Sequence, residues 1–189
     1  MSDQSTADRA WQTFLSTAWR PDFDGARHDA APGETFNTVK GVTEGTWKTA
    51  QNAGVVSSST ALDDSTDNQL AAVIRWACWR PLWCDQLAKG GAPGVAIVLA
   101  NMAMAAGAYE AVTLLQRTLG DVDVDGTMGP HTCVATIGAM HNRPDLIHDL
   151  TVADEAFFHA LAQNPRYAKF EGGWDRRAEV FEAIAKAFV

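Results

Sequence analysis

Residues 122–132 read V-D-V-D-G-T-M-G-P-H-T, and they decide the fold. An Asp-Gly step followed shortly by Gly-Pro is a double turn. Gly126 and Gly129 take positive φ at little cost, and Pro130 presets the backbone for the first turn of a helix. Upstream runs an apolar helical stripe ending L-L-Q-R-T-L-G; downstream runs C-V-A-T-I-G-A-M. The stretch is therefore a tight joint between two buried helices. It says that the chain is built from packed helices rather than from a sheet.

The same stretch imitates a calcium loop. Asp121, Asp123, Asp125 and Gly126 fit the opening D-x-D-x-D-G, but the twelfth position is Thr132, where the loop needs a bidentate Glu, and Pro130 interrupts it. The five histidines (His28, His131, His141, His148, His159) form no metal-ligand spacing, and there is no Cys-x-x-Cys. No phosphate-binding glycine loop, G-x-S-x-G or dinucleotide fingerprint occurs. The expectation is a protein with neither metal nor cofactor.

Outward from the joint, the 189 residues carry 47% hydrophobic side chains and a net charge of −8, enough for one good core. The acidic balance argues against nucleic acid as partner. Three cysteines, Cys78, Cys84 and Cys133, have no framework spacing and read as reduced thiols. The start, M-S-D-Q-S-T-A-D-R-A, has no apolar signal core, and no run is apolar enough for a membrane span. We expect synthesis in the cytoplasm, no membrane insertion and a monomer; work outside the cell would need another component to let the protein through.

Along the chain, Trp11, Phe14 and Leu15 recur at helical spacing and predict a helix over about 8–18. Residues 19–37 are irregular and rich in Pro, Gly and Asp, with room for a small hairpin near 20–42. Thr43 is a good N-cap for a helix to about 52, stopped by Gly54. A polar linker over 57–64 follows. A helix from about 65, capped by Ser65 or Thr66, is broken at Pro81. Residues 93–107 are apolar nearly all round, hence central, with Asn101 the one polar interior side chain. Further helices are expected over 109–119, 132–140, 145–163 and 175–188. The class is all-α, mostly helical, with at most one small hairpin. The chain reads as a single domain over 1–189, with a cleft lobe over 10–106 and a second helical region over 107–189.

The chemistry-bearing residues lie in the irregular segment. Asp22, Asp24, Asp29 and Glu34 sit between the aromatics Trp19, Phe23 and Phe36. Sugars stack their apolar faces on aromatic rings, and glycoside hydrolysis needs a carboxylic acid kept protonated by apolar surroundings. Acidic loop residues are as readily explained by solvation, and the seven tryptophans by the core.

Four quoted motifs carry a resemblance. A-P-G-E-T-F-N-T-V-K-G-V-T-E-G-T-W over 31–47 resembles the D-P-G-G-x-T-N-x-G-I-T-x-x-T-Y signature of glycoside hydrolase family 108, the phage and bacterial N-acetylmuramidases. W-R-P-L-W-C-D-Q-L from Trp79 resembles Y-W-x-P-L-x-C-D-x-L. The joint, with L-Q-R-T-L-G before it, resembles the L-Q-x-x-L-G … D-G-x-x-G-P-x-T of peptidoglycan-acting proteins. P-R-Y-A-K-F-E-G-G-W-D-R-R resembles a closing F-x-x-G-W-x-x-R. The likeness runs in order over about residues 10–181. It implies a lysozyme-like fold, cleavage of the bond between N-acetylmuramic acid and N-acetylglucosamine, peptidoglycan glycan strands as partner, and a peptidoglycan-binding-like region over 107–140.

The departures matter as much. The resemblance places the catalytic Glu at the end of the first helix, where this chain has Ala18. The family's Asp in the central helix is here Asn101, the Asn four residues on is Ala105, and the Tyr before Trp79 is Cys78. Either Ala18 is an engineered knockout, or Asp22, Asp24 or Glu34 has taken over as acid, or the chain binds the wall without cleaving it. Trp19, Thr35, Asn37, Thr43, Trp79 and Asn101 are the expected substrate contacts or loop braces. Glu171, in an E-G-G-W step, imitates the catalytic motif, but its place fits the closing motif, with Trp174 on the core.

Overall fold

The structure is a computed structural model and describes residues 5–20 and 37–188. Among these residues there are nine α-helices and one two-stranded antiparallel ribbon, the mostly helical class that the joint implied.

Helix α1 (Thr6–Ala18) is capped by Ser5, whose hydroxyl accepts from the Asp8 N–H. Strands β1 (Thr38–Val39) and β2 (Val42–Thr43) pair through a two-residue turn in which Lys40 and Gly41 both have positive φ, 48° and 81°. The hairpin thus falls at the end of the expected range. Thr43 ends it and caps α2 (Glu44–Asn52) in one residue, its hydroxyl accepting from the Thr46 N–H. Thr66 caps α3 (Asp67–Ile74) in a reciprocal box with Gln69.

The expected single helix over 65–80 is corrected here. After Ile74 the backbone widens to a π turn over Arg75–Trp79, with Arg80 N–H reaching Arg75 O at 2.9 Å. A turn over Pro81 then leads into α4 (Cys84–Lys89) through Trp83 at φ 51°. The extra residue in the π turn carries Cys78 and Trp79 inward together. Trp79 packs on Trp11 and Phe14, and Phe14 on Phe181, with ring centroids 5.2–5.9 Å apart.

Helix α5 (Pro93–Ala106) is the axis. It is buried from Pro93 to Ala103 and packs against α1, α4, α6 (Ala108–Leu119), α8 (Leu146–Ala162) and α9 (Glu171–Lys186). Its second residue must be glycine: a Cβ on Gly94 would lie 2.6 Å from Ala185 O and 2.8 Å from the Ile147 side chain, so α5 crosses α8 and α9 at backbone contact. α7 (Pro130–Asn142) packs on α4 and α6. One apolar cluster runs from Ala7 to Ala185. The last helix begins four residues before the expected 175, so the E-G-G-W step is its first turn. No described helix is long and apolar enough to cross a membrane.

The joint is held by one side chain. Gln116 of α6, itself buried, shares its two N–H bonds among three acceptors, Asp125 Oδ1 (2.8 Å), Thr127 O (3.2 Å) and Thr132 Oγ1 (3.3 Å), and its own oxygen accepts from the N–H groups of Asp125 (3.0 Å) and Gly126 (2.8 Å). Every hydrogen-bonding direction of the amide is used. The Gln116 hydrogen bond, aided by the Thr127 N–H, holds the Asp125 carboxyl below its usual range. A loop with the opening of a calcium site is thus organised by an amide. Among the described residues no group of three or more metal-ligating side chains comes together.

Candidate functional site

The hairpin, α3 with its π turn, and the end of α5 enclose a groove of about 280 Å³. Gly41, Val42, Thr43 and Thr46 form one wall, Val73, Ile74, Ala77 and Cys78 the second, and Ala103, Met104, Ala105 and Gly107 the third. The sequence builds it economically. The hairpin must turn tightly at Lys40-Gly41, and Gly41 sits against Met104. The π turn aims Cys78 into the gap. Three of the positions singled out by the resemblance, Thr43, Cys78 and Ala105, line this one groove. Its described lining carries hydroxyls, a thiol and apolar groups, but no carboxylate.

Behind the groove lies a polar cluster. Arg177 of α9 donates from Nε to Asn101 Oδ1 (2.5 Å) and reaches Met104 Sδ (3.5 Å) with Nη2, while its guanidinium lies 5.2 Å from the Phe181 ring centre. Asn101 is thus committed to Arg177 inside the core rather than presented to solvent. Asp154 of α8 is buried beside this charge. Burial pushes its carboxyl up to about 7, against the pull of Arg177 and with a small push from Glu155. Its Oδ1 has no hydrogen-bond partner among the described residues. Burial likewise pushes the Cys78 thiol up to about 12, so it is an inert apolar side chain. Cys84 and Cys133 are also free, buried and shifted upward.

At the hairpin's outer edge, Lys40 Nζ sits 4.6 Å from the Trp19 ring centre and 2.8 Å from Asp67 Oδ1. This clips the end of α1 to α3. Trp19 is half-buried, and its indole nitrogen lacks a partner among the described residues. Ala18, one residue earlier, is 4% exposed and part of the core.

The expected site residues are scattered. Thr43 lies in the hairpin and Trp19 meets it through Lys40, whereas Ala18 and Asn101 are buried in the core. Thr43 spends its hydroxyl bracing α2 and faces the groove. Asn37 instead lines a second, more polar pocket of about 410 Å³ over α2, with Glu44, Gln51, Thr60 and Asp63; its carbonyl accepts from the Glu44 N–H. Trp79 is fully buried, its N–H given to Asp85 Oδ1 at 2.8 Å alongside Arg75, so its ring offers no face to a ligand in this structure. Asp22, Asp24, Asp29, Glu34 and Thr35 lie outside the described residues. Glu171 opens α9, and Trp174 stacks on Phe158 at 4.5 Å.

Sequence reasoning did not find Asp154, Met104 or the Lys40 clip. A signal existed for Asp154: it is one of two adjacent carboxylates, with Glu155, in the apolar run T-V-A-D-E-A-F-F, and it is the one that faces inward. For Lys40 none existed, since its partners are 27 residues and 21 residues away.

Comparison with known proteins adds a further observation. Residues 110–179 match the family described as a predicted peptidoglycan domain. The match begins in α6, contains the Gln116-bound joint, and ends in α9 with Arg177. It points to a peptidoglycan-associated protein. The chain also matches a solved structure, that of Brucella abortus SagA, with a TM-score of 0.70 and 24% identity, covering 97% of this chain and 95% of that one. At that identity the likeness is one of fold, and it extends over the whole arrangement of helices. No match is found among curated proteins.

Proposed function

We propose that this protein engages peptidoglycan glycan strands in the hairpin groove, on a fold of the N-acetylmuramidase kind from which the general acid has been lost at position 18. The observation that carries the reading is the match of residues 110–179 to a predicted peptidoglycan domain, on helices that share one core with the groove. The groove's chemistry supports binding over cleavage. Protonating a glycosidic oxygen takes a carboxylic acid within hydrogen-bond reach. The described lining supplies Thr43, Thr46 and Cys78, the last held as a neutral thiol. The surroundings of Ala18 are apolar, the setting that would keep a glutamic acid protonated there. Among the described residues what is missing is the acid and not its environment.

A second reading is an active muramidase cleaving between N-acetylmuramic acid and N-acetylglucosamine. It is favoured by the spacing of Asp22, Asp24 and Glu34, three carboxylates between Trp19 and the hairpin in sequence. Either activity places the protein at the cell wall, reached from the cytoplasm through a holin or an export machine.

Co-sedimentation with purified sacculi, with chromatography of released muropeptides, separates the two. Binding without release of fragments ending in reducing muramic acid is expected. Release of such fragments makes Asp22, Asp24 and Glu34 the residues to mutate. Failure to sediment with sacculi removes both.

A further inference from the structure

The groove ends at Gly107, and two residues on, at most about 7 Å of chain, stands Tyr109. It is 64% exposed, although it belongs to a helix whose apolar residues are otherwise turned inward. One side of its ring rests on the joint: a Cβ on Gly126 would lie 2.3–2.8 Å from three of the ring's carbons, so only glycine permits the contact. Gly126 has φ +70° and is fixed by the Gln116 amide at 2.8 Å. The ring is therefore seated on a rigid loop. The loop also exposes Val124 at 49%, and Asp121 and Asp123 stand at its surface.

We propose that Tyr109, seated on Gly126, is a sugar-stacking platform that extends the hairpin groove by a further unit of a β-1,4-linked N-acetylhexosamine strand. This rests on the peptidoglycan reading given above and names a residue within it. The chemistry selects the occupant. An exposed aromatic ring with a fixed orientation stacks on the apolar face of a pyranose, and losing little freedom on binding favours the contact. Carboxylates beside it accept hydrogen bonds from the hydroxyls of the neutral sugar backbone. A second copy of this chain would bring the same acidic loop and a charge of −8, so self-association is disfavoured here.

The joint's glycines and the clamp thereby acquire a purpose beyond turning the chain. Gln116 fixes Gly126, Gly126 seats Tyr109, and Tyr109 meets the ligand. Tyr109 contacts the strand, and Gln116 and Gly126 are positioning residues.

Calorimetric titration with chitohexaose, together with sacculus co-sedimentation, tests the platform. The unaltered chain is expected to bind both. Tyr109→Ala is expected to weaken chitohexaose binding by about threefold to tenfold, the size of one aromatic contact, with an unchanged melting temperature. Tyr109→Phe should retain most of the affinity. Gly126→Ala, which displaces the ring, should weaken binding as Tyr109→Ala does. If Tyr109→Ala binds like the unaltered chain, the platform is refuted while the peptidoglycan reading stands. If the unaltered chain binds neither probe, both fall. If Tyr109→Ala changes the oligomeric state by light scattering while leaving chitohexaose binding intact, the surface is a self-association face and the proposal is overturned.

Discussion

Two polar constructions are built into this helical core, and they are opposites. At the joint, the neutral amide of Gln116 makes five hydrogen bonds, and each donor and acceptor direction is filled. Behind the groove, the charge of Arg177 is set against Asn101, Met104 and a carboxyl, Asp154, that keeps an unpartnered oxygen among the described residues. A satisfied network built on a neutral amide, whose one titratable member, Asp125, is held ionised below its usual range, fixes a shape across the neutral pH range. A charged cluster with an orphaned oxygen costs stability and makes it depend on pH. Gln116, Asp154 and Arg177 all fall within the segment matched to a predicted peptidoglycan domain. The charged cluster borders the groove where the resemblance expects chemistry, and Cys78 and Ala105 stand at its edge.

The largest effect is expected at the joint. Gln116→Ala removes a buried amide, leaves the part-buried N–H groups of Asp125 and Gly126 without that partner, and should cost about 3 kcal/mol, read by urea unfolding. Because the amide does not titrate, the loss should be equal at pH 5 and pH 8. A loss that varies strongly with pH would erase the contrast between the two regions.

The next is the pH slope. An ordinary aspartate releases its proton near 3.8, whereas Asp154 in the fold holds it to about 7. Between these values the folded chain binds more protons than the unfolded chain, so stability falls as pH rises and levels off above 7. The fall should be a few kcal/mol, and Asp154→Asn should flatten it. An identical slope in the variant would mean that Arg177 keeps the carboxylate ionised throughout.

The smallest effect is at the hairpin's edge. Lys40→Ala removes an ion pair to Asp67 and a cation over Trp19. Since Asp67 is largely exposed, it should lower stability by about 0.5 kcal/mol, and by less in high salt. A cost several times larger would show that the hairpin is held to α1 mainly by this side chain.

The sequence announced what local rules control. Thr43 as cap, Gly54 as stop, Pro130 as first helical residue and the all-round apolar run before Gly107 each name their structure within a few residues. The π turn was hidden, because Arg75–Trp79 has no composition that separates it from α-helix; it is set by Trp79 reaching Asp85 and the core. The start of α9 was hidden too, because Gly172 and Gly173 argue against a helix that tertiary packing of Trp174 and Arg177 imposes. The groove was legible through resemblance at Thr43, Cys78 and Ala105. The approach of Asp154 to Arg177, which joins two helices through space, was legible only as a pair of carboxylates, Asp154 and Glu155, in an otherwise apolar run.

The measurement that tests the central claim most directly is muropeptide release from purified sacculi by this chain, by Ala18→Glu and by Ala18→Gln, with sacculus binding and thermal unfolding recorded for all three. A groove that binds and has lost only its acid predicts binding by all, and release of fragments with reducing muramic acid ends by Ala18→Glu alone. Ala18→Gln controls for the added bulk in a buried position. Release by the unaltered chain, or a folded Ala18→Glu that binds sacculi and releases nothing, would contradict it.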